Sequence, residues 1–167
     1  MAIRPILQYP DERLYQVAEP VTSVDASIRD LVRDLAETMY AAPGIGLAAT
    51  QIDVHRRVIV IDSSETRDQL VTLINPRMIS SEGKQESDEG CLSVPGIYEP
   101  VARARKVKVR ALGLDGTEFE LAAEGLLAVC IQHEMDHLDG KVFVDYLSRL
   151  KKSRIRAKMM KRQREAA

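Results

Sequence analysis

Apolar residues recur at helical spacing in three stretches of this chain and at strand spacing between them. Ile28, Leu31, Val32, Leu35 and Met39 share one face of a helix that Asp25 can cap and that Pro43 and Gly44 end. Arg57 to Asp62 and Leu70 to Asn75 carry the Val and Ile density of strands. Lys106 to Leu112 and Glu118 to Ala122 flank Asp115-Gly116 and predict a hairpin. A second helix is predicted from Gly125 to Asp139, with Gly140 as its C-terminal stop. Val142 to Tyr146 then predicts a strand, and Ser148 opens a C-terminal helix with an apolar stripe at Ile155, Met159 and Leu150. Helix, strands, helix, strand, helix is the order of an α+β fold rather than of regular βαβ winding.

Neither a repeat nor a low-complexity linker divides the chain, so residues 1–167 predict one domain, with 148–166 as its basic C-terminal helix. A domain of this size buries roughly 70% of its unfolded surface and needs no staples. Hydrophobic residues make up 45% of the chain and Trp is absent, which implies an aliphatic core. The opening MAIRPILQYPDER has neither the continuous apolar stretch of a secretory signal nor the Arg- and Ser-rich character of a transit peptide. No apolar run approaches the length of a membrane span. Cys91 and Cys130 therefore read as thiols in a reducing cytoplasm. The net charge of −1 conceals an asymmetry: nine basic residues and one acidic residue lie from Arg149 onward, leaving 15 basic and 24 acidic before it. An acidic body with net −9 thus carries a tail with net +8.

The candidate chemistry lies in QHEMDHLDG, Gln132 to Gly140. His133 and His137 are four apart on a predicted helix, hence on one face and about 6 Å apart along its axis, where two imidazoles can grip one metal ion. Glu134 beside them suits a base that takes a proton from water activated by the ion, the chemistry of HExxH hydrolases. A catalytic site of this type takes a third protein ligand. Phe143 stands where metzincins have a histidine, and no downstream acid is placed as in thermolysin-like enzymes. Cys130 would lie about 7 Å along the axis from a metal midway between the histidines, beyond so short a side chain, and reads as a small apolar residue beside the site. His55, after a turn and ahead of a strand, reads as a partly exposed structural imidazole. Cys91, in the turn-prone run SDEGCLSVPG, could approach the helix from outside.

GIGLAATQ (Gly44 to Gln51), EGCLS (Glu89 to Ser93) and QHEMDHLDG together resemble the three signature motifs of the peptide deformylase family, in that family's order. The similarity runs from YPDERL to the basic final helix. It implies mostly antiparallel sheets packed around a central metal-binding helix. It also implies one divalent metal ion on Cys91, His133 and His137, natively Fe2+ with Zn2+, Ni2+ or Co2+ as substitutes, and hydrolysis of the formyl group from N-formyl-methionyl nascent peptides. Glu134 would be the base, and Gln51 with the backbone N–H of Leu92 would donate to the oxyanion. A thiolate ligand weakens the ion as an acid, so Glu134 would be indispensable. Gly44, Gly46 and Gly90 permit close backbone approach, letting an extended peptide pair with Ile45 and Gly46. The methionine slot falls to Ile45, Gly46, Glu89, Leu126, Val129, Cys130 and His133. Leu126 and Val129 are also plain core positions on a helix, and either role predicts burial.

The basic final helix is, by the same resemblance, a dock for the ribosome near the tunnel exit, where RNA phosphate attracts positive charge. No membrane and no sequence-specific nucleic acid enter the picture. Two other functions use the same residues: a metal-dependent endopeptidase, which lacks its third ligand here, and a ribosome-binding module with a structural metal, which lacks a fourth.

Overall fold

The computed structural model describes residues 2–166. Helix α1 spans Ala26–Ala41, and Asp25 caps it, its side chain accepting from the Ile28 N–H at 3.1 Å. Strands β1 (Gly46–Ala48), β2 (Val58–Ile61), β3 (Val71–Glu82), β6 (Lys106–Leu112) and β7 (Glu118–Glu124) form an antiparallel sheet in the order β1-β2-β3-β6-β7. Strands β4 (Gln85–Cys91) and β5 (Val94–Arg103) form a separate two-stranded sheet. Helix α2 covers Gly125–Leu138 and α3 covers Arg149–Ala166.

All four residues of β2 are buried because the sheet is covered on both faces. Val58 and Val60 turn towards α1, where they join Ile28, Leu31, Leu35 and Met39. Ile59 and Ile61 turn the other way and pack with Ala128, Ile131 and Leu138 of α2. Each fully buried side chain of this kind stabilises the fold by roughly 1.5–3 kcal/mol. The helix carrying the HExxH residues thus packs on the five-stranded sheet, and His133 and Asp136 meet Glu89 and Arg103 of the β4–β5 hairpin. A third apolar cluster joins Val94, Ile97 and Val101 of β5 to Phe143, Val144 and the α3 residues Ile155 and Met159.

Gly140 follows the end of α2 with φ +77°, and a Cβ there would stand 2.5 Å from the Tyr15 carbonyl oxygen, so both conformation and space require glycine. Arg57 donates to the Leu138 carbonyl at 3.1 Å and pairs with Asp139, satisfying the C-terminal end of the helix.

The structure departs from expectation in several places. Phe143–Tyr146 is a 3-10 helix, not a strand: the run Val142, Phe143, Val144 is continuously buried, and Asp145 folds back to accept the Val142 N–H at 2.9 Å. The strand expected over Leu70 to Asn75 continues to Glu82, through residues that are mostly polar and exposed. The segment read as turns around Cys91 is the β4–β5 hairpin. Leu150 lies outside the α3 stripe and is exposed.

Candidate active site

Cys91 is the last residue of β4, and Leu92 and Ser93 turn the chain into β5. The hairpin register shifts between Glu89 and Cys91, so β5 carries the extra residues and Pro95 to Tyr98 bulge into the wall of a cleft. Tyr98 lies across Gly90, where a Cβ would meet its ring at 2.4 Å. From this hairpin the Cys91 side chain reaches α2. The donor atoms of Cys91, His133 and His137 all lie within 4.8 Å of one another. Tetrahedral sulfur and nitrogen ligands at ordinary metal distances stand roughly 3.5 Å apart. Cys91 Sγ and His137 Nε2 are 3.4 Å apart, so the set fits a metal ion.

The surrounding charges favour a cation there. His133 is buried, which alone would lower its pKa, but Glu134, Cys91 and Glu89 outweigh burial and raise it well above the usual imidazole range. His137, buried and facing positive His133 and Arg103, is held well below that range and stays neutral. His133 Nδ1 donates to Glu89 Oε1 at 2.8 Å, so an ion would take the place of the proton on Nε2. Arg103 grips Glu89 through two hydrogen bonds of 2.7 and 2.9 Å and also pairs with Asp136 at 2.6 Å. The Tyr146 ring covers the guanidinium at 4.8 Å, and its hydroxyl donates to Asp136 at 2.7 Å. No motif or periodicity announced this connection from Tyr146 to His133. Its one visible signal was an arginine two residues after Val101, on the inward side of β5, where Arg103 is indeed buried.

Glu134 is buried, its Oε1 has no partner among the described residues, and its Oε2 leans on Gly46, where a Cβ would stand 2.5 Å away. Burial, with the charge of Glu89 adding and that of His133 opposing, pushes its carboxyl up to about 7. Gln51 is buried too. The Ala48 N–H donates to its Oε1 at 2.9 Å, which forces Nε2 towards Ser93 Oγ at 2.9 Å and Cys91 Sγ at 3.5 Å. Ser93 as the partner of Gln51 was not foreseen.

The cleft beside these groups holds about 520 Å³ and is lined by all seven residues expected in the methionine slot. Gly44, Gly90 and Leu92 line it as well. Val129 and Cys130 are buried as expected, but Leu126 is 54% exposed. It stands in the first turn of α2, on the exposed part of the cleft lining. Cys130 packs in the α2 core cluster and lies outside the ligand set. His55 is 21% exposed, bonds Asp53 at 3.1 Å and lies outside both the ligand set and the cleft.

Two histidines one helical turn apart, a cysteine brought in from a separate hairpin and a buried carboxylate beside them define a metal-dependent hydrolase. Residues 3–153 match the model of the polypeptide deformylase family. Peptide deformylase 2 of Nitrosomonas europaea is 65% identical over 164 residues, covering 98% of this chain and 89% of that one. Peptide deformylase 1 of Burkholderia multivorans is 66% identical, covering 98% and 91%. Among solved structures, a peptide deformylase from Legionella pneumophila superposes with a TM-score of 0.94 at 50% identity, covering 99% and 98% of the two chains. The Ehrlichia chaffeensis peptide deformylase in complex with actinonin gives 0.95 at 40% identity, covering 98% and 99%. The chain belongs to the polypeptide deformylase family. It is a hydrolase that removes the formyl group from N-formyl-methionyl peptides, releasing formate, with a single divalent metal ion. Among the described residues no helix is long and apolar enough to cross a membrane.

Proposed function

We propose that Cys91, His133 and His137 hold the ion, that the native ion is Fe2+, and that Glu134, Gln51 and Leu92 carry the chemistry on nascent chains in the cytoplasm. The observation that supports this reading most is the clustering of the three donors beside a buried carboxylate and a fixed amide. An ion bound there would lower the pKa of a water molecule and polarise the formyl oxygen. Glu134 takes the proton of the attacking water on its unpartnered oxygen and delivers it to the departing amine of methionine. Negative charge then develops on the formyl oxygen. Gln51 Nε2 and the Leu92 N–H donate to it, and because Ala48 fixes the far end of the Gln51 amide, that donor is aimed in advance.

The peptide chain adds as a strand to the free edge of β1. The Asp62 N–H already donates to the Ile45 carbonyl at 2.8 Å, so by the alternation of an antiparallel ladder the N–H and C=O of Gly46 turn to the opposite edge, towards the cleft. Gly46 therefore takes most of the pairing shared with Ile45. The methionine side chain enters the slot lined by Val129 and Cys130, under the rim of Ile45 and Leu126.

The basic helix α3 serves as the ribosome dock. Lys151 and Lys152 pair with Glu99 and Asp145, and Arg162 donates to the Pro95 carbonyl, so these three hold the helix to the body. Arg154, Arg156, Lys158, Lys161 and Arg164 are exposed and make none of those bonds. Changing these five to Gln is expected to weaken ribosome cosedimentation and to flatten its dependence on log salt by roughly 0.7–0.9 for each phosphate no longer neutralised. Hydrolysis of short formyl peptides should stay at the parent rate. Unchanged cosedimentation across a salt series would return α3 to a solvated surface helix that closes the third core cluster.

A further inference from the structure

The loop from Asp62 to Gln69 lies outside the chemistry above, yet its hydrogen bonds converge on the peptide-pairing edge. The buried Asp62 carboxylate draws the loop together: it accepts from Tyr40 OH at 2.6 Å, from Ser64 N and Oγ at 3.0 and 2.5 Å, and from Gln69 N at 3.1 Å. Within the loop Arg67 adopts φ +60°, a conformation uncommon for a residue with a Cβ. Ser64 Oγ accepts the Arg67 N–H at 3.0 Å, and the guanidinium lies over the Tyr40 ring at 5.0 Å. So held, Arg67 Nη2 donates to the Gly44 carbonyl at 2.6 Å.

Gly44 needs such a partner. It and Gly46 flank Ile45 in a segment with two residues of high backbone freedom, whose ordering on substrate binding would cost affinity. Its N–H is tied to the Met39 carbonyl at the end of α1, and a Cβ on it would stand 2.6 Å from Leu92, so it seats the oxyanion turn as well. Arg67 supplies the remaining bond. The geometry points to Arg67 as a positioning residue that pre-orders the Gly44–Gly46 edge for an incoming peptide strand. This rests on the assignment of that edge to substrate pairing.

The test is the kcat and KM of the parent, Arg67→Ala and Arg67→Lys on formyl-Met-Ala-Ser and on formylmethionine, which has no chain beyond the first residue to lay along the edge. Loss of one charge-assisted bond and of pre-ordering should raise the Arg67→Ala KM for the tripeptide by about tenfold, with kcat within about twofold. The KM for formylmethionine should move by less than about twofold, and Arg67→Lys should recover much of the tripeptide affinity. An unmoved tripeptide KM, or an equal rise for both substrates, overturns the role of Arg67. A parent that released no formate from formyl-Met-Ala-Ser would instead overturn the assignment of the site, which keeps the two failures apart.

Discussion

Glu134→Gln is expected to retain close to one metal ion per chain while turnover of formyl-methionyl peptides falls by about 10³–10⁴. The amide keeps the shape that packs on Gly46 but cannot take a proton, and the metal donors Cys91, His133 and His137 are untouched. Neither neighbouring carboxylate can stand in for it. Glu89 is consumed by Arg103 and His133, and Asp136 by Arg103 and Tyr146, whereas Glu134 keeps a buried oxygen without a partner among the described residues, beside the donor set. Turnover near the parent rate would place the base elsewhere.

Cys91→Ala is expected to abolish both metal binding and activity, and Cys130→Ala to keep both the metal and the fold. Parent protein purified without oxygen should carry about one iron per chain, since the described residues offer one three-donor set, and Cys91→Ala should carry almost none. The contrast is sharp because the two thiols differ in surroundings. Cys130 is buried among Ala128, Ile131 and the sheet, and burial pushes its thiol up to about 12, so it stays neutral. Equal metal content in the two variants would refute the ligand assignment, and zinc alone in the anaerobic parent would refute the choice of iron.

What the sequence made legible was whatever rests on local periodicity. The apolar face of α1, the density of β2 and the β6–β7 hairpin were visible because each repeats at the period of its own element. The His133 and His137 spacing belongs to the same class. The β4–β5 hairpin was not, since QESDEGC has no apolar alternation and becomes a strand only through its partner. Val142 to Tyr146 misled because a short buried run looks alike as strand or 3-10 turn. In the site, the fit of Cys91 to His133 and His137 depends on a meeting of residues 42 and 46 apart in sequence. The Arg103 network and the Arg67 bond to Gly44 also join residues far apart in the chain, and no periodicity carries them. Leu126 was expected inside because helical spacing reports a face, not where the helix leaves the core.

Product analysis by mass spectrometry, with the parent protein acting on formyl-Met-Ala-Ser and on an unformylated peptide of matched sequence, decides between deformylation and peptide-bond cleavage. Equal amounts of formate and Met-Ala-Ser, with the unformylated peptide left intact, are the predicted result. Cleavage at an internal peptide bond of either substrate, without formate, would contradict it and assign the same helix to an endopeptidase.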